Sequence, residues 1–168
     1  MSNLTGSAVV TKSGDKLIVI TRHVDAPREL VWEAHHNPDY VSKWWGLPEA
    51  ANHITEIDLR PGGRWRFGQR QADGSEVIFT GEYLELDPPK RFVYTKGWPK
   101  VSDERAHDSV DLEDSVITIS FEETATGTVV TLTCEFSSEA LRDKVAESGM
   151  NRLQKSYDRM DHLLATLL

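Results

Sequence analysis

The sequence predicts an α+β fold in which an antiparallel sheet of about seven strands packs against a long C-terminal helix. Much of the chain consists of short runs that alternate apolar and polar residues and end at glycine, proline or aspartate turns, which is typical of antiparallel strands. Near the end, apolar residues recur at spacings of three and four and form one stripe on a helix: Met150, Leu153, Tyr157, Met160, Leu164 and Leu167. A sheet with one apolar face and a helix with one apolar stripe are expected to cover each other.

Seven segments have the composition and alternation of strands. They cover residues 17–24, 53–59, 64–70, 77–86, 92–95, 116–123 and 128–136. Asp73 and Gly74 predict a hairpin turn between the third and fourth segments, and Gly127 ends a turn between the last two. Residues 1–14 are small and polar, so we expect a disordered tail before a single domain over residues 15–168.

Three shorter helices are predicted besides the long one. Pro27 suits a first helical turn and Pro38 a stop, so a helix is expected up to His36, followed by a second one over residues 39–43. A third is expected over residues 139–147, with an interruption near Gly149 before the long helix. The acidic, apolar-poor residues 102–114 predict a mobile loop.

The bulk composition excludes several classes of partner. The chain has 168 residues and a net charge of −8, from 19 basic and 27 acidic residues, which disfavours binding to nucleic acid. No stretch approaches the roughly 18 apolar residues of a membrane span, and the start lacks the pattern of a signal peptide, so we expect a cytoplasmic protein without a membrane partner. The one cysteine, Cys134, lies in an apolar strand and is expected to be a buried structural thiol.

Titratable residues give no motif for catalysis. The six histidines lack metal-ligand spacing, so no metal is expected, and no cofactor is expected because phosphate-loop and dinucleotide-binding motifs are absent. His35 and His36 lie near a helix C-terminus, where cations are favourable, which accounts for them without a function. The carboxylates of Glu56, Asp58 and Glu82 are expected to be solvated or paired with arginines. The catalytic residues are therefore unknown, and the sequence leans against an enzyme.

Aromatic residues occupy matching positions along the strands. Because side chains alternate between the two faces of a strand, Trp65 and Phe67 share a face, as do Phe79 and Tyr83, and also Phe92 and Tyr94. Arg64 and Arg66 have the opposite parity and are expected to point to solvent. The pattern alone favours ordinary core packing of these rings over the lining of a cavity.

Three motifs carry a family resemblance that extends over residues 17–167. They are RHVDAPRELVW at residues 22–32, WWG at residues 44–46 and EIDLRPGGRWRF at residues 56–67, and FTGEYLELDPP follows at residues 79–89. Their order and spacing resemble the bacterial homologues of the heat-shock-protein-90 ATPase activator, in the START-like or SRPBCC superfamily. The resemblance implies a helix-grip fold, with the sheet wrapped around the C-terminal helix and a cavity retained between them.

The resemblance also implies a ligand and a set of residues to hold it. The expected partner is a small apolar or amphipathic molecule, and a homodimer is left open. The expected ligand-binding residues are Trp45, Trp65, Phe67, Phe79, Tyr83, Tyr94, Trp98, Leu153 and Tyr157. Relatives often carry glycine and tryptophan where this chain has Arg152 and Leu153, so the shape of the pocket is expected to differ from theirs.

Two alternative functions follow from the same resemblance. One is an enzyme similar to the polyketide cyclases and aromatases of the superfamily, which shape a folded substrate and transfer protons with one or two polar groups. The other is a chaperone-regulating module that binds a protein. It is the weakest hypothesis, because the eukaryotic activator carries an additional N-terminal domain that the residues before Leu17 do not supply.

Overall fold

The computed structural model describes residues 9–46, 51–96, 115–136, 138–148 and 150–167. The described chain forms eight strands: β1 (Val9–Ser13), β2 (Leu17–Val24), β3 (Ala51–Ile57), β4 (Arg64–Arg70), β5 (Glu76–Asp87), β6 (Arg91–Lys96), β7 (Ser115–Thr124) and β8 (Gly127–Glu135). Four helices accompany them: α1 (Arg28–His36), α2 (Pro38–Trp44), α3 (Glu139–Ser148) and α4 (Met150–Leu167). The fold is α+β, as the sequence predicts, and the loop expected over residues 102–114 lies outside the described residues.

All eight strands belong to one antiparallel sheet, in the order β1-β2-β8-β7-β6-β5-β4-β3. The early strand β2 therefore pairs with the late strand β8, whereas the other neighbouring strands in this order are consecutive in the chain. The α1–α2 pair is inserted between β2 and β3, and α3 and α4 follow the last strand.

The start of the chain differs from the sequence-based expectation. The disordered tail was predicted to extend to residue 14, but Val9–Ser13 forms β1, which pairs with β2 from Val9 opposite Thr21 to Ser13 opposite Leu17. The turn at Gly14 has a φ of +59°, a conformation that glycine adopts without strain. The short run from Val9 to Ser13 therefore forms an edge strand here, because a neighbouring strand supplies the backbone hydrogen bonds.

One face of the sheet is turned toward the helices and buried. Along β2, β7 and β8 every second side chain points inward; these are Ile18, Ile20, Arg22, Val24, Ser115, Ile117, Ile119, Phe121, Thr128, Val130, Leu132 and Cys134. From α4, Tyr157, Met160 and Leu164 pack onto this face and are almost fully buried. These three residues of the predicted apolar stripe thus close the core, whereas Leu167 is exposed and the side chains of Met150 and Leu153 lie outside the described residues.

The strand β5 holds the two halves of the sheet together. Its first half pairs with β4 and its second half with β6, with a change of register between Tyr83 and Glu85. At Gly81 a Cβ atom would lie 1.8 Å from the carbonyl oxygen of Thr95, so only glycine fits. A register irregularity and a close backbone approach are both typical of a strand that changes partners in mid-course.

Candidate functional site

A cavity of about 170 Å³ lies between the inward face of the sheet, the α1–α2 pair and α4. Every described strand except β1 and β3 contributes lining residues, and Ser156 and Tyr157 contribute from α4. Gly46, Lys96 and Ser115 also line the cavity. The cavity therefore lies among the elements that the helix-grip prediction placed around it.

Seven of the nine residues predicted to bind a ligand lie together at this cavity. They are Trp45, Trp65, Phe67, Phe79, Tyr83, Tyr94 and Tyr157. Trp98 and the side chain of Leu153 lie outside the described residues. The expected pairs of inward-facing aromatics are present, but the rings leave space between them, whereas the residue pattern alone favoured a filled core.

The aromatic side chains support one another at the cavity wall. Trp45 meets Phe67 and Phe79 edge-on, each with 5.2 Å between ring centroids. Trp65 lies 4.9 Å from Phe67, and the ring of Tyr94 stands edge-on to Trp65 at 5.7 Å. Edge-to-face contacts of this kind add stability beyond the burial of area, so the wall is held in a defined shape.

His35 supplies a polar group that the sequence reasoning missed. Its Nδ1 atom lies 2.8 Å from the carbonyl oxygen of Val31, and its Nε2 atom lies 3.0 Å from the hydroxyl of Tyr157. Burial lowers the pKa of His35 from its usual 6.5 to about 4, so the imidazole is neutral at pH 7. The sequence interpretation of His35 and His36 as favourable cations at a helix end is therefore wrong, because both rings are buried and the same cause lowers the pKa of His36 to about 3.

Tyr83 and Tyr94 add two further hydroxyls. Within the described part of the chain neither forms a side-chain hydrogen bond. Burial raises the pKa of both groups well above the usual value of 10, so both hydroxyls remain protonated at physiological pH. Each can therefore donate a hydrogen bond into the cavity.

A second polar region lies where α2 ends. The hydroxyl of Ser156 donates to the carbonyl oxygen of Gly46 at 2.8 Å, and the amide of Gln69 donates to the carbonyl oxygen of Trp45 at 3.4 Å. Gly46 has a φ of +86°, which favours glycine, and a Cβ atom there would also displace the end of the Gln69 side chain. Gln69 has the same strand parity as Trp65 and Phe67, so parity could have identified it from sequence. No comparable signal marked Ser156.

Lys96 and Cys134 are two further residues of the described lining. Lys96 is the one charged side chain among the described lining residues, and its Nζ atom lies 4.7 Å from the centroid of the Phe79 ring. Cys134 is buried as predicted, and burial raises the pKa of its thiol to about 11. Such a thiol is a poor nucleophile and acts as part of the wall.

Ion pairs between a buried arginine and two partly exposed aspartates fix α4 over the cavity. Arg22 faces the core from β2, and its Nη2 atom lies 2.7 Å from Asp158 and 2.5 Å from Asp161. Its guanidinium carbon also lies 5.8 Å from the centroid of the Tyr157 ring. Arg22 has the same strand parity as Ile18 and Ile20, so the sequence could have indicated that its side chain points inward. A charged side chain at an inward position predicts an oppositely charged partner across the core. Arg22 thus positions the helix turn that carries Tyr157.

The remaining charged candidates lie on the outer surface, as predicted. Glu56 is 3.8 Å from Arg66, Asp58 is 2.9 Å from Arg60, and all four side chains are exposed. The described cavity lining contains no carboxylate. Among the described residues, no group of three or more histidine, cysteine or acidic side chains is placed to hold a metal ion. No described helix is long and apolar enough to cross a membrane.

A curved antiparallel sheet closed over by a C-terminal helix, with a cavity between them, is the helix-grip arrangement of START-like (SRPBCC) domains. Within this class, the chain belongs to the family described as Activator of Hsp90 ATPase homolog 1-like protein, whose sequence model matches residues 25–165.

Solved structures support the same assignment of fold. A protein from Rhodobacter sphaeroides superposes with a TM-score of 0.84 at 19% identity, over 95% of this chain and 99% of that one. A protein from Mycobacterium smegmatis gives 0.76 at 26% identity, over 93% and 97%. One from Chromobacterium violaceum gives 0.71 at 25% identity, over 89% and 97%. A comparison with curated proteins finds no match.

Proposed function

We propose that this protein binds a compact apolar or amphipathic small molecule in the cavity under α4. The observation that carries the proposal is a cavity of about 170 Å³ whose wall is mainly apolar, is rich in aromatic rings and carries few polar groups. An apolar protein cavity of roughly 150 Å³ is large enough to bind benzene. The expected ligand therefore contains one ring with a small substituent, and the seven aromatic residues at the wall are its contacts.

The size of the cavity also sets the expected affinity. A single substituted ring buries roughly 200 Å² of apolar surface, the amount typical of an aromatic side chain. At roughly 25 cal/mol per Å² this gives about 5 kcal/mol, or a Kd of about 0.2 mM for a purely apolar ring. A natural ligand that also makes hydrogen bonds is expected to bind more tightly.

The proposal is tested with isopropylbenzene as a compact apolar probe, followed by NMR titration. Wild-type protein is expected to bind it with a sub-millimolar Kd and with shifts at residues around the cavity. The variant Phe79→Trp fills part of the space and should weaken binding at least fivefold. Leu84→Trp places the same side chain on the same strand at an exposed position, and should bind as wild type.

Absence of binding to folded wild-type protein would overturn the proposal and leave the protein-interaction hypothesis in front. Native mass spectrometry of gently purified protein gives an independent check, since a co-purifying molecule with one ring and a small substituent would support it. The cytoplasmic location and the lack of a nucleic-acid or membrane partner stay predictions.

A polyketide cyclase-like activity is the second candidate, because of the hydrogen bond between His35 and Tyr157 beside the cavity. Tyrosine and histidine at one site are the groups that proton transfer would require. The His35 Nε2 atom is already engaged by Tyr157, however, and no carboxylate lies in the described lining. Binding without reaction is therefore the function that the geometry supports better.

A further inference from the structure

The direction of the hydrogen bond between His35 and Tyr157 follows from the backbone. A carbonyl oxygen can only accept, so the Nδ1 atom of His35, 2.8 Å from the Val31 oxygen, carries the hydrogen. The neutral ring then has a lone pair on Nε2, and the Tyr157 hydroxyl must donate to it at 3.0 Å. The hydrogen of Tyr157 is used, and its oxygen can still accept a hydrogen bond.

The hydroxyls of Tyr83 and Tyr94 are in the opposite situation. Tyr83 is 3% exposed and Tyr94 is half-buried, and both line the cavity without a side-chain hydrogen bond to any other described residue. Neither hydroxyl is among the described polar atoms that are sealed from solvent without a partner, so both are reached from the cavity. An acceptor atom on a ligand can take their hydrogen bonds, whereas a ligand without an acceptor would seal both donors off unpaired, which is costly.

The charges around the cavity restrict what the acceptor can be. A cationic ligand would meet no carboxylate in the described lining, only the ammonium group of Lys96. A carboxylate ligand would lose its hydration in an aromatic surrounding, which is costly unless a cation pairs with it. Lys96 lies over the Phe79 ring and has further interactions of its own. An uncharged oxygen avoids both costs.

We propose that the cavity selects an uncharged ring compound bearing a carbonyl oxygen, and that this oxygen accepts hydrogen bonds from Tyr83 and Tyr94. This inference rests on the proposed function, since it names the chemistry of the ligand for the same site. A site built to hydrogen-bond one group of its ligand discriminates strongly against an analogue that lacks this group. Tyr83 and Tyr94 are thus the residues that determine specificity.

The test uses three single-ring probes of nearly equal size: acetophenone, isopropylbenzene and benzoate. Wild-type protein should bind acetophenone at least tenfold more tightly than isopropylbenzene in NMR titrations. The double variant Tyr83→Phe/Tyr94→Phe removes both donors and should bring this ratio close to one, while isopropylbenzene binds as well as before. Tyr40→Phe makes the same change on α2, at a residue that does not line the cavity, and should keep the wild-type ratio.

The outcomes separate this inference from the proposed function. If none of the probes binds, both fail. If isopropylbenzene binds as tightly as acetophenone to wild-type protein, the site binds small molecules but the inference is wrong. Tightest binding of benzoate, lost in Lys96→Met, would also overturn it, because an anion would then be the preferred ligand. The wild-type ratio decides the question even if the double variant fails to fold.

Discussion

The two adjacent histidines at the end of α1 are buried in an aromatic cluster, and both are neutral in the folded protein. The ring of His36 lies 4.3 Å from those of Trp32 and Phe92, and the ring of His35 lies 5.1 Å from that of Phe121. Their Nδ1 atoms contact the carbonyl oxygens of the preceding helix turn. Protonating either ring in place would bury a charge without a carboxylate beside it, so the fold is coupled to pH.

We expect the free energy of unfolding to fall as the pH is lowered from 7 to 5. In the unfolded chain both rings titrate near pH 6.5, whereas burial lowers the pKa of His35 to about 4 and that of His36 to about 3. Between these values the unfolded state binds more protons, so stability is full above pH 6.5 and declines below it. At 1.36 kcal/mol per pKa unit, each ring accounts for about 2 kcal/mol at pH 5.

Urea unfolding at pH 7 and pH 5 measures this loss. His36→Gln should make the loss about 2 kcal/mol smaller than in wild type, even if it lowers stability at pH 7. His162→Gln removes an exposed histidine of α4 and should retain the wild-type loss. Equal losses in the wild type and in His36→Gln would show that burial of this ring does not couple folding to pH.

At the scale of single residues, the sequence correctly predicts the direction of a side chain where strand parity alone determines it. Arg64, Trp65, Arg66 and Phe67 alternate outward and inward as predicted. Sequence reasoning made no prediction for the side chain of Arg22, although strand parity with Ile18 and Ile20 marks it as inward-facing; its partners on α4 lie more than 130 residues away, where no local pattern indicates them. It failed at His35 for the same reason, since Tyr157 lies on a distant element.

At the scale of elements, α4 acts as the cover of the core. The backbone carbonyls of Lys43 and Gly46 accept hydrogen bonds from Arg159 and Ser156, which fixes the helix against the end of α2. On the opposite side the Arg22 ion pair holds it over β2. The position of the helix is therefore set by polar contacts at its edges and by apolar packing along its centre.

Leu164→Asp should lower the free energy of unfolding by at least about 3 kcal/mol. Leu164 is 1% exposed, and the substitution removes a buried apolar side chain and places a charge where no partner exists among the described neighbours. Ala165→Asp adds the same charge at an exposed position one residue further along the helix. Chemical denaturation of both variants gives the comparison; similar values for the two would mean that α4 does not pack through its apolar stripe.

The elements themselves were largely predictable from sequence, because periodicity and turn residues are local signals. The long helix, α1 and the β7–β8 hairpin follow the predicted segments closely. The edge strand β1 was missed because its residues carry no apolar alternation and become a strand only by pairing with β2. The register irregularity in β5 and the need for glycine at Gly81 were also missed, because Gly81 is constrained by the Thr95 carbonyl on another strand.

At the scale of the whole molecule, the cavity wall contains the single cysteine of the chain, Cys134. The rate at which a reagent modifies this thiol therefore measures how often the wall opens. Burial raises the pKa of Cys134 from 9.0 to about 11, which alone reduces the reactive thiolate about 100-fold. We therefore expect an aromatic disulfide reagent at pH 7.5 to modify native protein at least about 100-fold more slowly than protein unfolded in urea. Acetophenone at saturation should slow the reaction further.

This reaction rate reports how often the core opens far enough to admit the reagent. Comparable rates in native and unfolded protein would mean that Cys134 is accessible and that the cavity wall is not closed. A native rate that saturating acetophenone leaves unchanged would place the bound probe away from this wall.

The pairing of β2 with β8 has a consequence for how the chain folds. The inner neighbour of β2 is β8, which lies more than a hundred residues later in the chain. The β1–β2 hairpin therefore cannot be buried before β8 has formed, and the charge on Arg22 cannot be paired before α4 has formed. Contacts this distant in sequence impose a large loop-closure entropy and slow the search for the native topology. During synthesis the edge of β2 that will pair with β8 thus stays unpaired for most of the time that the chain is being made. On its other side β2 is covered by β1, which remains the outer edge of the finished sheet, and the short length and the lysine at position 12 of β1 reduce the risk that this outer edge recruits another chain.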